Sequence, residues 1–167
     1  MTRSALVLGA TGLVGQHCLE QLCAERDYER IQVLSRRPVA VDDPRVRLEV
    51  ADLEVMDEYP DAFAVTDVFC CLGTTLARAG SRKQFYHVDH DLCVQAAEQA
   101  AAAGASNFLM VSAVNARRRS PFFYARTKGA AEADVAAAGV PATHFFQPSF
   151  LLGARPETRR AEWLGIQ

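Results

Sequence analysis

Three glycines near the start of the chain restrict its fold more than any other feature. Gly9, Gly12 and Gly15 stand three residues apart in Gly9-Ala10-Thr11-Gly12-Leu13-Val14-Gly15, where a short apolar run from Ser4 to Gly9 meets a helical pattern from Leu13 to about Arg26. A strand that turns through glycines into a helix gathers unpaired backbone N–H groups and the positive end of the helix dipole at one point, and a phosphate suits that point. The first glycine permits the tight turn, the second lets the backbone approach a pyrophosphate, and the third lets the helix pack against the strand. All seven residues from Gly9 to Gly15 are therefore candidate contacts to a dinucleotide.

The rest of the chain repeats the alternation. Apolar runs lie at Ile31 to Ser35, Val46 to Val50, Asp67 to Cys71, Asn107 to Ser112 and Ala142 to Gln147, with a brief segment at Glu54 to Tyr59. Helical patterns run from about Arg82 to Ala103 and from about Phe122 to Ala138, both rich in alanine, the best helix former. Gly104 and Gly139 supply C-terminal stops, and Pro141 and Pro148 punctuate the last strand. The strands lack polar alternation, which suits a parallel sheet buried on both faces. Six strands separated mostly by helices predict a doubly wound, three-layer αβα fold of the Rossmann type. No linker rich in Pro, Gly or Ser divides the 167 residues, so a single dinucleotide-binding domain is expected over 1–167.

Composition excludes several classes of function. Half the residues are hydrophobic and 23% charged, which rules out a disordered chain. Eighteen basic against 20 acidic residues give a net charge of −2, so no nucleic-acid partner is expected. No run approaches the ~20 apolar residues of a membrane span, nor is there the apolar core of a signal peptide; the expectation is a cytoplasmic protein. The five cysteines (Cys18, Cys23, Cys70, Cys71 and Cys93) include no C-x-x-C pair and read as free, mostly buried thiols, with Cys70 and Cys71 on opposite faces of a strand. No metal site is expected, and His87 and His90, three apart, read as an exposed pair on a helix.

Twenty residues past Gly15, where an NAD-preferring domain carries a carboxylate for the ribose, this chain has Ser35-Arg36-Arg37. A hydroxyl and two guanidiniums suit a 2′-phosphate, so NADP(H) is favoured over NAD(H). Asp52-Leu53, after the third strand, bounds the adenine or is plain surface.

Ser112 ends the fifth strand, on the carboxyl edge where open α/β sheets bind ligands. Twelve residues later come Tyr124 and Lys128, four apart and hence on one helical face. A phenol ordinarily titrates near ~10, and a neighbouring ammonium favours its phenolate. Tyr124 is then the proton donor or acceptor for a carbonyl/alcohol pair. Lys128 holds the nicotinamide ribose and tunes the phenol, and Ser112 orients the substrate oxygen.

With these motifs in place, the chain resembles the extended or atypical short-chain dehydrogenase/reductases, and within them a small NAD(P)H-binding group. The resemblance rests on Gly9 to Gly15, Leu34-Ser35-Arg36-Arg37-Pro38, Cys71-Leu72-Gly73-Thr74-Thr75, Val88-Asp89, Tyr124 to Gly129, and Pro148-Ser149-Phe150-Leu151-Leu152-Gly153. It implies that Leu72, Gly73 and Thr74 line the cofactor and that Pro148 and Ser149 lie near the nicotinamide. It also implies a homodimer paired through the long helix. Gln147 and Asp89 depart from the pattern, which often has Arg and Asn there, and the C-terminal substrate-pocket elements are expected to be truncated or reduced. The Arg117-Arg118-Arg119 loop is expected to overhang the catalytic edge, as a solvated loop or as an attractor for an anionic substrate. Arg155, Glu157, Arg159, Arg160 and Glu162 read as an exposed terminal segment, with Trp163 covering the sheet edge or making a subunit contact. The function implied is an NADP-dependent oxidoreductase for a small carbonyl or alcohol. The alternative is a non-catalytic NADP(H)-binding sensor acting through a protein partner; nucleotide-sugar epimerase chemistry ranks below both because the chain lacks room for a substrate domain.

Overall fold

The computed structural model describes residues 3–149 and Leu151; the expectations for Phe150, Leu152, Gly153 and the segment from Arg155 to Trp163 lie outside the described residues. Strand β1 (Arg3–Leu8) leads through the glycine turn to α1 (Leu13–Ala24), followed by β2 (Tyr28–Ser35) and β3 (Val46–Val50). A 3₁₀ segment (Leu53–Glu58) and a short α2 (Pro60–Phe63) precede β4 (Asp67–Cys70). Next come α3 (Leu76–Ala79), α4 (Arg82–Tyr86), a π turn (His87–Asp91) and α5 (Leu92–Ala102). Strand β5 (Asn107–Val111), α6 (Phe123–Ala137) and β6 (Ala142–Phe146) complete the described order.

All pairings are parallel, in the order β3-β2-β1-β4-β5-β6. This is the strand order of a doubly wound dinucleotide-binding sheet, and it reverses direction between β1 and β4, opening a crevice beyond their carboxyl ends. The missing polar alternation has a direct cause in β1. Ala5 and Val7 pack with Leu19 and Leu22 of α1 on one face, while Leu6 and Leu8 join Phe108, Met110 and the Ala96, Ala97 and Ala100 row of α5 on the other. Both faces of the central strands are apolar because both are covered. The edges differ from that expectation: β3 and β6 carry exposed side chains, among them Val50 and Phe146.

Gly104 and Gly139 adopt φ of +78° and +96°, so both predicted helix stops are left-handed C-terminal turns. Cys70 and Cys71 turn to opposite faces, where each meets a thiol of a covering helix, Cys93 of α5 and Cys18 of α1 respectively. The predicted helix from Arg82 to Ala103 runs on continuously as α4, the π turn and α5, all in right-handed helical conformation. Within it His90 is buried and His87 half-buried, so the two are not an exposed pair. Helix α3 was not anticipated; Thr75 caps it by accepting from the Arg78 N–H (3.1 Å) and Gly80 closes it at φ +73°.

Candidate cofactor and catalytic site

The turn after β1 is shaped by contacts that exclude side chains. Gly9 sits at φ +80°, and a Cβ there would lie 2.5 Å from the carbonyl oxygen of Cys71 at the end of β4. A Cβ on Gly15 would overlap the Gly9 carbonyl, so α1 can approach β1 only through glycine. The Gly12 N–H donates to the Gly9 carbonyl (2.9 Å), and Gly12 then begins α1 with no side-chain cap and no acidic residue in the first turn. The amino end of α1 is thus left to an anion. Thr11 and Gly12 are exposed, Leu13 and Val14 half-buried, and Ala10 is packed beneath them in the core.

At the end of β2, Ser35 is buried and its Oγ accepts weakly from the Arg37 N–H (3.4 Å). Arg36 and Arg37 are exposed, and neither guanidinium pairs with a carboxylate among the described residues. Asp52 is exposed and caps the 3₁₀ segment by accepting from the Glu54 N–H (3.2 Å). Leu53 turns inward to the core beside Met56 and Phe63.

The second half of the site converges on one buried ion pair. Lys128 Nζ lies 2.7 Å from Asp89 Oδ1, with side-chain exposures of 5% and 1%. The other carboxylate oxygen, Oδ2, accepts from the Thr74 N–H (2.8 Å). Gly73 closes over the pair, since a Cβ there would stand 3.3 Å from Asp89 Oδ1 and 3.6 Å from Lys128 Nζ. Leu72 is buried behind it. Burial by itself would lower the Lys128 pKa; the charge of Asp89, the neighbouring Cys93, the hydrogen bond that Lys128 donates to Asp89, and Tyr124 outweigh it and hold the ammonium above the ordinary lysine value.

Tyr124 stands one turn before Lys128, 42% exposed, its ring tilted against Phe85 with centroids 5.6 Å apart. Ser112 lies just beyond β5, with its N–H donating to the Phe146 carbonyl (2.7 Å). Its hydroxyl is buried, yet Oγ has no hydrogen-bond partner among the described residues. Pro148 follows β6 beside this loop, accepting from the Val114 N–H (3.0 Å), and Ser149 is exposed next to it. The structure thus gathers Leu72, Gly73, Thr74 and Lys128 around Asp89, while Leu53 is directed elsewhere.

The arginine loop is drawn back along α6. Arg117 N–H donates to the Ala125 carbonyl (3.0 Å), the loop backbone lies so close that a Cβ on Gly129 would overlap Arg117, and Arg118 donates to Asp134 (2.6 Å). Gln147 donates to Glu132 (2.9 Å). His87 and His90 point to carboxylates: His87 to Glu54 (2.7 Å), His90 to Asp91 (2.8 Å) and Asp134 (2.9 Å). No group of three or more His, Cys, Asp or Glu suited to a metal occurs among the described residues.

Asp89 is the residue that pattern reading passed over as a partner of Lys128. A signal was present, because Phe85, Asp89, Leu92 and Ala96 form a stripe at helical spacing, and a carboxylate within an apolar stripe demands a buried partner.

A family model described as NAD(P)H-binding matches residues 9–160. The chain belongs to this NAD(P)H-binding family. Protein HTATIP2 of Rattus norvegicus is 36% identical over 166 residues, covering 97% of this chain and 68% of the relative. Protein FMP52-1, mitochondrial, of Scheffersomyces stipitis is 34% identical over 161 residues, covering 93% and 70%. Among solved structures, MoeE5 in complex with UDP-glucose and NAD superposes with a TM-score of 0.71 at 17% identity, over 86% of this chain and 53% of that one. The Bordetella bronchiseptica enzyme WbmG in complex with NAD gives 0.71 at 16% identity, over 86% and 52%. The chain spans about half the length of these structures, which share its Rossmann-type fold. The cytoplasmic expectation is overturned: several fungal relatives similar to this NAD(P)H-binding chain are named mitochondrial. No helix among the described residues is long and apolar enough to cross a membrane.

Proposed function

We propose that the protein is an NADP-dependent oxidoreductase that interconverts a small carbonyl compound and its alcohol, with Ser112, Tyr124 and Lys128 as its working side chains. The observation that carries this reading is the Ser112 hydroxyl, buried at the carboxyl end of β5 without a partner. Buried hydroxyls are partnered almost without exception, and a substrate oxygen fits as the partner that Ser112 lacks among the described residues. Ser112 orients that oxygen by donating to it. Tyr124, half-exposed at the mouth of the site, gives the proton to the forming alkoxide or takes it from the alcohol. Lys128 offers its ammonium to ribose hydroxyls beneath Gly73. The bound nicotinamide supplies or accepts the hydride. Gly9 to Gly15 cradle the pyrophosphate, Asp52 borders the adenine, and Pro148 and Ser149 flank the nicotinamide. Arg36 and Arg37, exposed and without carboxylate partners, grip the 2′-phosphate.

The test is a paired fluorescence titration of nucleotide-free protein with NADPH and NADH, followed by a panel of aldehydes and ketones. NADH is expected to bind at least about tenfold more weakly, about 1.4 kcal/mol, and the double variant Arg36→Ala/Arg37→Ala should erase that gap. Equal affinities in the parent would remove the 2′-phosphate assignment. Tyr124→Phe is expected to abolish turnover and leave NADPH affinity unchanged; loss of both together would count against its role. Tight binding with no turnover across the panel would move the assignment to a cofactor sensor.

A further inference from the structure

Three groups meet where the loop after β4, the π turn and α6 come together: the buried Lys128 ammonium, the buried Asp89 carboxylate and the half-buried Thr74 amide. We infer that Asp89 is a positioning residue of the site, its carboxylate joining the Lys128 ammonium to the Thr74 amide so that the cation and the end of β4 are fixed as one unit. The inference rests on the reading above, in which Lys128 faces the cofactor.

The geometry supplies the argument. A lysine has a long stem with several rotatable bonds, and a cation meant to meet ribose hydroxyls needs something to stop those rotations. Asp89 Oδ1 does so at 2.7 Å, and its own direction is set by Oδ2 accepting from Thr74 at 2.8 Å. Asp89 lies in the π turn, 1% exposed on the same helical face as Phe85, Leu92 and Ala96, and Cys93 Sγ of α5 donates to the Val88 carbonyl (3.7 Å) beside it. A Cβ on Gly73 would stand 3.3 Å from Asp89 Oδ1 and 3.6 Å from Lys128 Nζ, so a glycine there lets the loop close on both partners without pressing on them.

A buried ion pair is a poor way to gain stability, because desolvation of both charges consumes most of their attraction. Its value lies in holding a cation charged where burial alone would discharge it. The groups facing Lys128 are Asp89 from the π turn, Cys93 from α5 and Tyr124 from its own helix. Asp89 is the strongest of those that favour the ammonium, so neutralising it leaves the burial effect opposed only by weaker neighbours.

The chain contains two lysines, Lys83 and Lys128, so lysine-selective ¹³C/¹⁵N labelling of the full protein gives two side-chain signals, assigned with Lys83→Arg. In the parent, Lys128 is expected to remain an ammonium beyond the ordinary lysine midpoint of about 10.4. In Asp89→Asn the midpoint should fall by about one pH unit or more. NADPH affinity, flat across the mildly alkaline range in the parent, should then drop about tenfold as the ammonium is lost, and Asp89→Glu should restore most of it. A Lys128 midpoint below the ordinary value in the parent overturns the inference without need of any variant, and so does an unmoved midpoint in a folded Asp89→Asn protein. A moved midpoint with NADPH affinity unchanged at every pH would keep the pairing and overturn instead the assignment of Lys128 to the cofactor.

Discussion

The two ends of the same sheet treat their buried polar groups in opposite ways. At the amino end, fully buried Asp67 of β4 accepts from Arg3 Nε (3.1 Å) and Nη2 (2.7 Å), from the Tyr28 hydroxyl (2.8 Å) and from Asn107 Nδ2 (2.7 Å). Those donors come from β1, β2 and β5, so one carboxylate ties four strands together. Burial first, and then the hydrogen bond to Asp67, hold the Tyr28 phenol above its usual value, as a protonated donor. Arg3 also lies over the Tyr28 ring, 4.5 Å from its centroid. At the carboxyl end, Ser112 Oγ has no partner among the described residues, and a Cβ on Gly73 would press on the Lys128–Asp89 pair. A polar group that is satisfied contributes to stability; one left unsatisfied costs stability and is kept where a ligand completes it.

Breaking the amino end should have the largest effect. Asp67→Ala leaves the Tyr28 hydroxyl and the Asn107 amide without their acceptor and Arg3 without its counter-charge, a loss on the order of 3–5 kcal/mol. The urea midpoint should fall with unchanged slope, while the protein that remains folded binds NADPH as the parent does. A midpoint equal to the parent's would mean that the four-strand hub carries no stability and that the contrast between the ends is only geometric.

The matching change at the carboxyl end should have the opposite sign. Ser112→Ala removes a buried hydroxyl that forms no hydrogen bond, so stability is expected to rise by about 1 kcal/mol, while turnover of any accepted carbonyl falls by about two orders of magnitude. Chemical denaturation and steady-state rates on one preparation check both halves. If Ser112→Ala destabilised the protein, its hydroxyl would have a partner in solution, and the site would resemble the amino end after all.

How much of this contrast is readable from residues alone depends on whether the cause is local. Gly9 and Gly15 announce the tight strand-to-helix turn because backbone sits where each Cβ would go, a constraint that shows in any seven-residue window. Ser112, Tyr124 and Lys128 are legible because a strand end and a four-residue helical step set their placement. Asp89 is harder, since its place in an apolar stripe calls for a buried partner without naming Lys128, which comes from a different helix. Leu53 misleads for a related reason: it follows a strand end as a ligand contact would, and only the packing of Met56 and Phe63 decides that it faces the core. The amino-end hub was not legible either, because Arg3, Tyr28, Asp67 and Asn107 come together only once the strand order is known. The compartment was misjudged on an absence, which excludes much less than a motif affirms.

The smallest effect sharpens the comparison by adding pH. Around the π turn, the carboxyl-end site is braced by His87 with Glu54 and Asp91, and by Asp134 with His90 and Arg118. The Glu54 hydrogen bond raises the His87 pKa against the opposing effect of burial, and Asp91 adds to it. Its stabilisation is therefore complete below the unfolded value of ~6.5 and is lost as pH rises through the higher folded value. The hydrogen bond from His90, then that from Arg118, lowers the Asp134 pKa, so its contribution is present above ~3.9 and lost as pH falls through the lower folded value. The brace is strongest between roughly pH 4 and 6.5. Because these pairs are partly exposed and screened, His87→Gln should lower stability by only a few tenths of a kcal/mol at pH 5.5. The deficit should shrink towards pH 8.5, as the parent loses the same charge on passing through the raised folded value. An equal deficit at both pH values would show that His87 braces the π turn by packing, and the carboxyl end would then be held, like the amino end, by contacts indifferent to pH in this range.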